Sequence, residues 1–329
     1  MRAAVCPTHG SPDVVRIEDL PSPALAAGHL RVAISAAAVN FADVLIIANS
    51  YQLKVPAPFV PGSEFAGVVQ EKADDVTGLA VGDRVFGTAI AGAFAEEIVV
   101  SAQAVRRVPD GVDLRTAAAF GVAHRTAYHA LRSTASLQRG EELIVLGAAG
   151  GVGLAAVQLG AVLGASVTAV ASSPERLEVA SSYGARHLVD RQVENVREAL
   201  RRELPQGADV VIDPVGGDVA EPALRALRWA GRFVTIGFAS GVIPRIPLNL
   251  VLLKGVVVTG FEIGSFLTRA HDEAERNEAE LMKLLASGRI APHISASFDL
   301  EQAADALRYV GNGQAIGKVV VDVARDEAS

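Results

Sequence analysis

The sequence predicts an α/β protein in which a doubly wound parallel sheet accompanies a smaller, mostly antiparallel β domain. Three observations carry this expectation. From about residue 120 onward, short apolar runs alternate with helical patterns, the signature of parallel strands joined by right-handed crossovers. One of those runs, Leu143 to Leu146, passes directly into a Gly- and Ala-rich cluster and then into an Ala-rich helical segment ending near Gly164. The first 120 residues instead hold short β-like runs punctuated by Pro, Gly and Asp. At 329 residues, half of them hydrophobic and a fifth charged, the chain is long enough for two cores.

The elements follow in order. Val14 to Ile17, Leu30 to Ile34, Gly67 to Gln70, Arg84 to Phe86 and Glu97 to Val100 read as strands. Pro21, Pro23, Gly28, Pro56, Pro58, Pro61, Gly62, Gly78 and Gly82 mark the turns between them. A helical pattern runs from Leu114 through Ala117 to Leu131. Strands are then expected at Leu143 to Leu146, Ser166 to Val170, His187 to Val189, Val210 to Ile212, Arg232 to Ile236 and Gly255 to Thr259. Helices starting at Val152, Pro174, Val193 and Val219 fall between them, with Ser173 a natural N-cap before Pro174. A charged helix at Arg269 to Ala286, a helix at Leu300 to Val310 and a strand at Gly317 to Val323 complete the chain.

Composition narrows the function. A net charge of −7 with scattered Lys and Arg gives no basic block suited to a nucleic-acid backbone or an anionic membrane. The single cysteine, Cys6, can form neither an internal disulfide nor a cysteine zinc site. The N-terminal residues lack a signal-peptide core and no apolar run is long enough to span a bilayer, so a soluble, cytoplasmic protein is expected.

The junction reads Gly147-x-x-Gly150-Gly151-x-Gly153, between a predicted strand and a predicted helix. Small residues let a diphosphate approach the backbone, and the helix N-terminus favours its charge, so Gly147, Ala149, Gly150, Gly151, Val152 and Gly153 are expected to bind a dinucleotide. After the second strand, where an acidic residue would hold the ribose hydroxyls of NAD, the chain reads Ala171-Ser172-Ser173-Pro174-Glu175-Arg176. Ser172, Ser173 and Arg176 instead make room for a 2′-phosphate, with Arg191 a second candidate, and NADPH is the expected cofactor. Asp213-Pro214-Val215-Gly216-Gly217, Gly237-Phe238-Ala239 and Phe261 follow later strands at their carboxyl ends, where contacts with the nicotinamide ribose or ring are expected, Val215, Gly237, Phe238 and Phe261 above all.

Several stretches together carry a resemblance: Ala38-Val39-Asn40-Phe41-Ala42-Asp43-Val44, Pro61-Gly62-Ser63-Glu64-Phe65-Ala66-Gly67-Val68-Val69, Thr126-Ala127-Tyr128 and the glycine junction. Over essentially its whole length the chain resembles the medium-chain dehydrogenase/reductase superfamily, and within it the zinc-free quinone oxidoreductase branch to which zeta-crystallin belongs. The resemblance implies a GroES-like substrate domain from residues 1–120 and 260–329, a Rossmann domain from 121–259, a cleft where they join, and a homodimer. It also places Thr126 near the nicotinamide and lets Lys318, in a terminal Gly-Lys strand, reach the cofactor phosphates; a surface lysine is the other reading of Lys318.

Zinc-dependent members carry Cys, His and Cys ligands where this chain has Asn40, Ser63 and Val122, a set that cannot hold zinc well. Without a Lewis acid, a localised alkoxide is poorly supported, whereas hydride addition to a conjugated carbonyl spreads its charge over an enolate or hydroquinone anion. Reduction of a quinone or α,β-unsaturated carbonyl is therefore expected. Asn40 can donate to the carbonyl oxygen, Tyr51 can donate a bond or a proton, and Asp43 can orient Asn40 or the nearby backbone. An enoyl-thioester reductase is the nearest alternative, and a non-catalytic NADPH-binding structural or sensing protein is a third reading. The apolar run Val251 to Val258 is expected as a dimer-edge or buried strand, and loops 48–59 and 263–268 as the substrate pocket.

Overall fold

The structure is a computed structural model that describes residues 1–324. The chain begins with β1 (Arg2–Val5), β2 (Arg16–Asp19), β3 (His29–Val39), α1 (Phe41–Ile47), β4 (Glu64–Lys72), β5 (Arg84–Thr88), β6 (Glu97–Ser101), β7 (Val105–Arg107) and α2 (Leu114–Ala118). It continues through α3 (Ala123–His129), β8 (Glu142–Leu146), α4 (Gly151–Val162), β9 (Ser166–Ala171), α5 (Pro174–Ser182), β10 (His187–Asp190), α6 (Val196–Glu203), β11 (Ala208–Asp213) and α7 (Ala220–Ala226). The remaining elements are β12 (Leu227–Thr235), α8 (Leu248–Lys254), β13 (Val257–Gly260), α9 (Ile263–Arg269), α10 (His271–Ala286), β14 (Ile294–Asp299), α11 (Ala303–Gly311) and β15 (Lys318–Asp322). Two compact units result, one from Met1–Val122 with the chain from Ala291 on, the other Ala123–Ile290.

The first unit is organised by β3, whose alternate residues Leu30, Val32 and Ile34 enter the core before four consecutive buried residues, Ala36 to Val39, fill its second half. Its sheet runs β14-β15-β3-β4-β5-β7, with β6 also pairing β3, and every pairing is antiparallel except β14 with β15. Because β15 and β4 lie on either side of the C-terminal half of β3, Val39 pairs with Val319 while Ala38 pairs with Glu64. The first residues of β4 and β15 therefore meet at the end of β3, where Asn40 leaves the sheet.

The second unit is a six-stranded parallel sheet in the order β10-β9-β8-β11-β12-β13. Counted within the unit this is 3-2-1-4-5-6, the Rossmann order, with its switch point beside β8. Every residue of the central strand β11 is buried, as a strand covered on both faces requires.

Local chemistry explains where boundaries move. Asn195 accepts from the Glu198 N–H, so α6 begins at Val196 and not at Val193. The run Val251 to Val258 does not form one strand: it is split between the end of α8 and β13, with Gly255 in the left-handed region (φ +59°) between them. The segment 263–268, expected as a pocket loop, lies within helix α9. The second unit also reaches Ile290, about thirty residues past the expected boundary at 259. Helix α10 packs into this unit through buried Ala274, Leu281 and Leu285 and through a buried polar set: Glu278 Oε1 accepts from Arg125 Nε at 2.5 Å and lies 3.0 Å from His129 Nε2, and Asn277 Nδ2 donates to Ser133 Oγ at 2.8 Å. These bonds tie a helix that reads as charged to α3 and the segment after it.

Candidate functional site

In the first unit, four polar side chains gather around Asn40 at the end of β3. Lys318 and Glu64 are 3% and 0% exposed and form an ion pair through Lys318 Nζ and Glu64 Oε1. Lys318 Nζ also donates to Asn40 Oδ1 at 2.6 Å and to the Val39 carbonyl at 3.4 Å. An ammonium only donates, so it fixes which end of the Asn40 amide is the oxygen and turns the NH2 group toward Glu64 and Ser63. Asn40 Nδ2 then donates to Glu64 Oε1 at 3.0 Å and to Ser63 Oγ at 3.2 Å. The second oxygen of Glu64 accepts from the Val122 N–H at 2.7 Å, so each oxygen of this buried carboxylate has a partner.

Asp43, in the first turn of α1, accepts from the Asn40 backbone N–H at 2.7 Å, as a residue at this helix position can. It is 1% exposed, and burial pushes its carboxyl up to about 7 against the opposing pull of that N–H, of the Ser63 hydroxyl and of the Lys318 charge. Its Oδ1 has no hydrogen-bond partner. Positions 40, 63 and 122 thus converge, and Glu64 touches both Asn40 and the backbone of Val122. Among the described residues no three His, Cys, Asp or Glu side chains form a group able to hold a metal ion.

The second unit brings most of the expected cofactor residues to one edge of its sheet, the carboxyl ends of the strands. Gly147, with φ +58°, follows β8, and a Cβ there would stand 2.4 Å from Val215 Cγ2 beyond β11. At Gly153 a Cβ would stand 2.1 Å from the Gly147 carbonyl oxygen, so the start of α4 packs against the turn only without a side chain. Gly150 is the N-cap of α4, with Gly151 and Val152 opening the helix and Ala149 buried before it. Ser172 and Ser173 follow β9; Ser173 Oγ accepts the Arg176 N–H at 3.3 Å, leaving its own proton to donate. Arg176 stands in the first turn of α5, an unfavourable end of the helix dipole for a cation and a favourable one for an anion beside it. Arg191 follows β10, Gly237 and Phe238 follow β12, Phe261 follows β13, and Thr126 is buried on α3.

Asp213, at the end of β11, opens the stretch Asp213-Pro214-Val215-Gly216-Gly217 in which nicotinamide contacts are expected. Its Oδ1 accepts from the Val215 and Gly216 N–H groups at 2.9 and 2.8 Å, which shapes the turn that meets Gly147. Burial raises its carboxyl above the usual range.

Asn40 and Asp43 come together as expected, and Tyr51 lies just beyond α1, with its backbone N–H on the Leu45 carbonyl. Lys318 departs from both of its expected roles. It is buried rather than on the surface, and three acceptors in the first unit use its three protons, which leaves none for a cofactor phosphate. Glu64 and Ser63 were legible only as parts of a motif; a carboxylate directly before the apolar run Phe65 to Val69 is the signal that it needs a buried cation.

Two family models match the chain: "Alcohol dehydrogenase GroES-like domain" over residues 26–110 and "Zinc-binding dehydrogenase" over residues 151–286. Quinone oxidoreductase-like protein 2 of Bos taurus is 37% identical over 98% of this chain and 92% of its own length. The polyketide synthase GfsB of Streptomyces halstedii is 37% identical over 90% of this chain, which spans 5% of that much longer protein. The Escherichia coli quinone oxidoreductase complexed with NADPH superposes with a TM-score of 0.91 at 26% identity, covering 98% of this chain and 100% of that one. With a Rossmann sheet, a GroES-like unit and relatives matched from end to end, the chain belongs to the medium-chain dehydrogenase/reductase superfamily, among its quinone oxidoreductase-like members.

Proposed function

We propose that this chain is a zinc-independent, NADPH-dependent oxidoreductase that reduces a quinone or another α,β-unsaturated carbonyl. The observation that carries this reading is the set around Asn40: where zinc-dependent relatives have metal ligands, an amide, a hydroxyl and a valine are held by a buried Lys318–Glu64 pair. The close packing that Gly147 and Gly153 allow, where a Cβ would clash with Val215 and with the Gly147 carbonyl, brings the turn against the N-terminus of α4, and a helix N-terminus suits a dinucleotide diphosphate. Ser172, Ser173, Arg176 and Arg191 offer hydroxyls and guanidinium groups to a 2′-phosphate. The NADPH held by the Escherichia coli structure supports the same cofactor here.

When bound, NADPH supplies the hydride. The chain's own residues hold the substrate oxygen and answer its developing charge. A carbonyl oxygen that replaces Ser63 Oγ as the acceptor from Asn40 Nδ2 gains a donor already oriented by Lys318, with a fixed positive charge one hydrogen bond behind it. The enolate or hydroquinone anion then takes its proton from solvent or from Tyr51.

The match to a polyketide synthase favours a second reading, an enoyl-thioester reductase. Steady NADPH oxidation with a simple quinone supports the first reading, and turnover confined to enoyl thioesters replaces it with the second. Binding of NADPH without turnover on either substrate class would leave a non-catalytic binding protein. We also infer a homodimer formed along β13, an edge strand where Val257 and Val258 are exposed beside Trp229, Leu252 and Leu253. A sedimentation mass of one chain would refute it. The lone, buried Cys6 suits a reducing compartment, the cytoplasm, and no helix among the described residues is long and apolar enough to cross a membrane.

A further inference from the structure

A cavity of about 420 Å³ lies in the second unit at the amino ends of β11 and β12, the edge of the sheet opposite the glycine junction. Five of its eleven lining residues are cationic, Arg197, Arg201, Arg225, Arg228 and Lys254, in a chain with only 30 Lys and Arg among 329 residues and a net charge of −7. They come from α6, the end of α7, the start of β12 and the end of α8, so tertiary folding assembles the cluster.

Part of this charge has local work. Arg201, Arg225 and Lys254 occupy last turns of their helices, where cations offset the macrodipole. Arg225 pairs with Glu221 at 2.6 Å and Arg228 pairs with the buried Asp209. The rest has none. Arg197 sits in the first turn of α6, the wrong end of that helix for a cation, and with Arg201 it forms an i, i+4 pair of like charges. Neither has a carboxylate partner among the described residues. Lys254 is held close enough to Arg225 that burial and that guanidinium together lower its ammonium below the usual lysine value. Two carboxylates against five cations leave an excess of positive charge in a hollow whose size falls within the range of small-molecule sites.

We propose that this hollow is a second anion site, which takes a small phosphorylated molecule bearing at least two negative charges. Arginine forks suit phosphate oxygens, and Arg197 and Arg201 are the two guanidinium groups with donors uncommitted to a carboxylate. Leu204, Pro205 and Leu227 give an apolar wall for the rest of such a ligand. The site is separate from the proposed NADPH site and does not depend on it.

Titration calorimetry of the full chain with inorganic diphosphate, at fixed ionic strength against sodium chloride, tests the proposal. The glycine junction is another place for diphosphate to enter, so the reading is the difference between the unaltered chain and the Arg197→Ser/Arg201→Ser variant. The variant is expected to weaken one binding event at least tenfold. As a measurement on the unaltered protein, diphosphate should slow phenylglyoxal modification of Arg197 and Arg201, mapped by mass spectrometry, relative to Arg202, which is exposed but paired with Glu194 and Glu203. Equal diphosphate binding by the variant, or no protection relative to Arg202, would overturn the proposal.

Discussion

Replacing Lys318 with Met keeps the length of the side chain but removes the ammonium that three acceptors share. Glu64 is then a carboxylate with 0% exposure and only two donors, Asn40 Nδ2 and the Val122 N–H. Removing one member of a buried ion pair costs about 3–5 kcal/mol, because the charge left behind is neither paired nor hydrated. At roughly 2–4 °C per kcal/mol for a domain of 150–250 residues, the melting temperature should fall by about 6–20 °C. Adding Glu64→Gln removes the stranded charge, so the double variant should cost less than the sum of the two single variants, by a coupling of about 1–3 kcal/mol. Urea denaturation of the four proteins of this cycle measures it. Strict additivity, or a Lys318→Met protein that melts within about 2 °C of the parent, would refute the claim that the pair is a buried electrostatic unit.

Three further outcomes follow from the same geometry. Asp43 holds a carboxyl raised to about 7 by burial, so the native state binds its proton more tightly than the unfolded chain does. The stability from this group is fully present below the unfolded carboxyl value and is lost as pH rises through about 7, a change on the order of a few kcal/mol; Asp43→Asn should flatten that part of a stability-against-pH profile. Gly153→Ala puts a Cβ 2.1 Å from the Gly147 carbonyl oxygen, and the backbone shift it forces should destabilise the second unit by about 1–3 kcal/mol and weaken NADPH binding measured by fluorescence titration. Arg176→Ala should weaken NADPH far more than NADH, and a parent protein that binds both equally would defeat the 2′-phosphate assignment.

The parallel sheet was legible because its information is local: each strand is a short apolar run, each helix a separate periodic segment, and Gly147 and Gly153 sit where backbones touch. Asn40 and Asp43 were legible for the same reason, since Asp43 lies three positions after Asn40 at one helix start. The partners of Asn40 were not. Lys318 lies at the far end of the chain and meets Glu64 only because β15 and β4 pair with opposite sides of β3, a register that residue spacing does not reveal. The same holds for α10, which reads from sequence as a charged helix and yet buries Asn277 and Glu278. Asp213 shows the opposite case: its turn is local, but its role depends on the neighbouring strand that brings Val215 against Gly147.

The central claim is that a buried ammonium and an oriented amide do the work at this site without a metal. The most direct test is the rate of NADPH oxidation with a simple quinone, measured before and after exhaustive dialysis of the protein against a zinc chelator. Turnover that persists unchanged after dialysis, and that falls in Asn40→Ala, is the predicted result. Activity that disappears on chelation and returns with added zinc would contradict it.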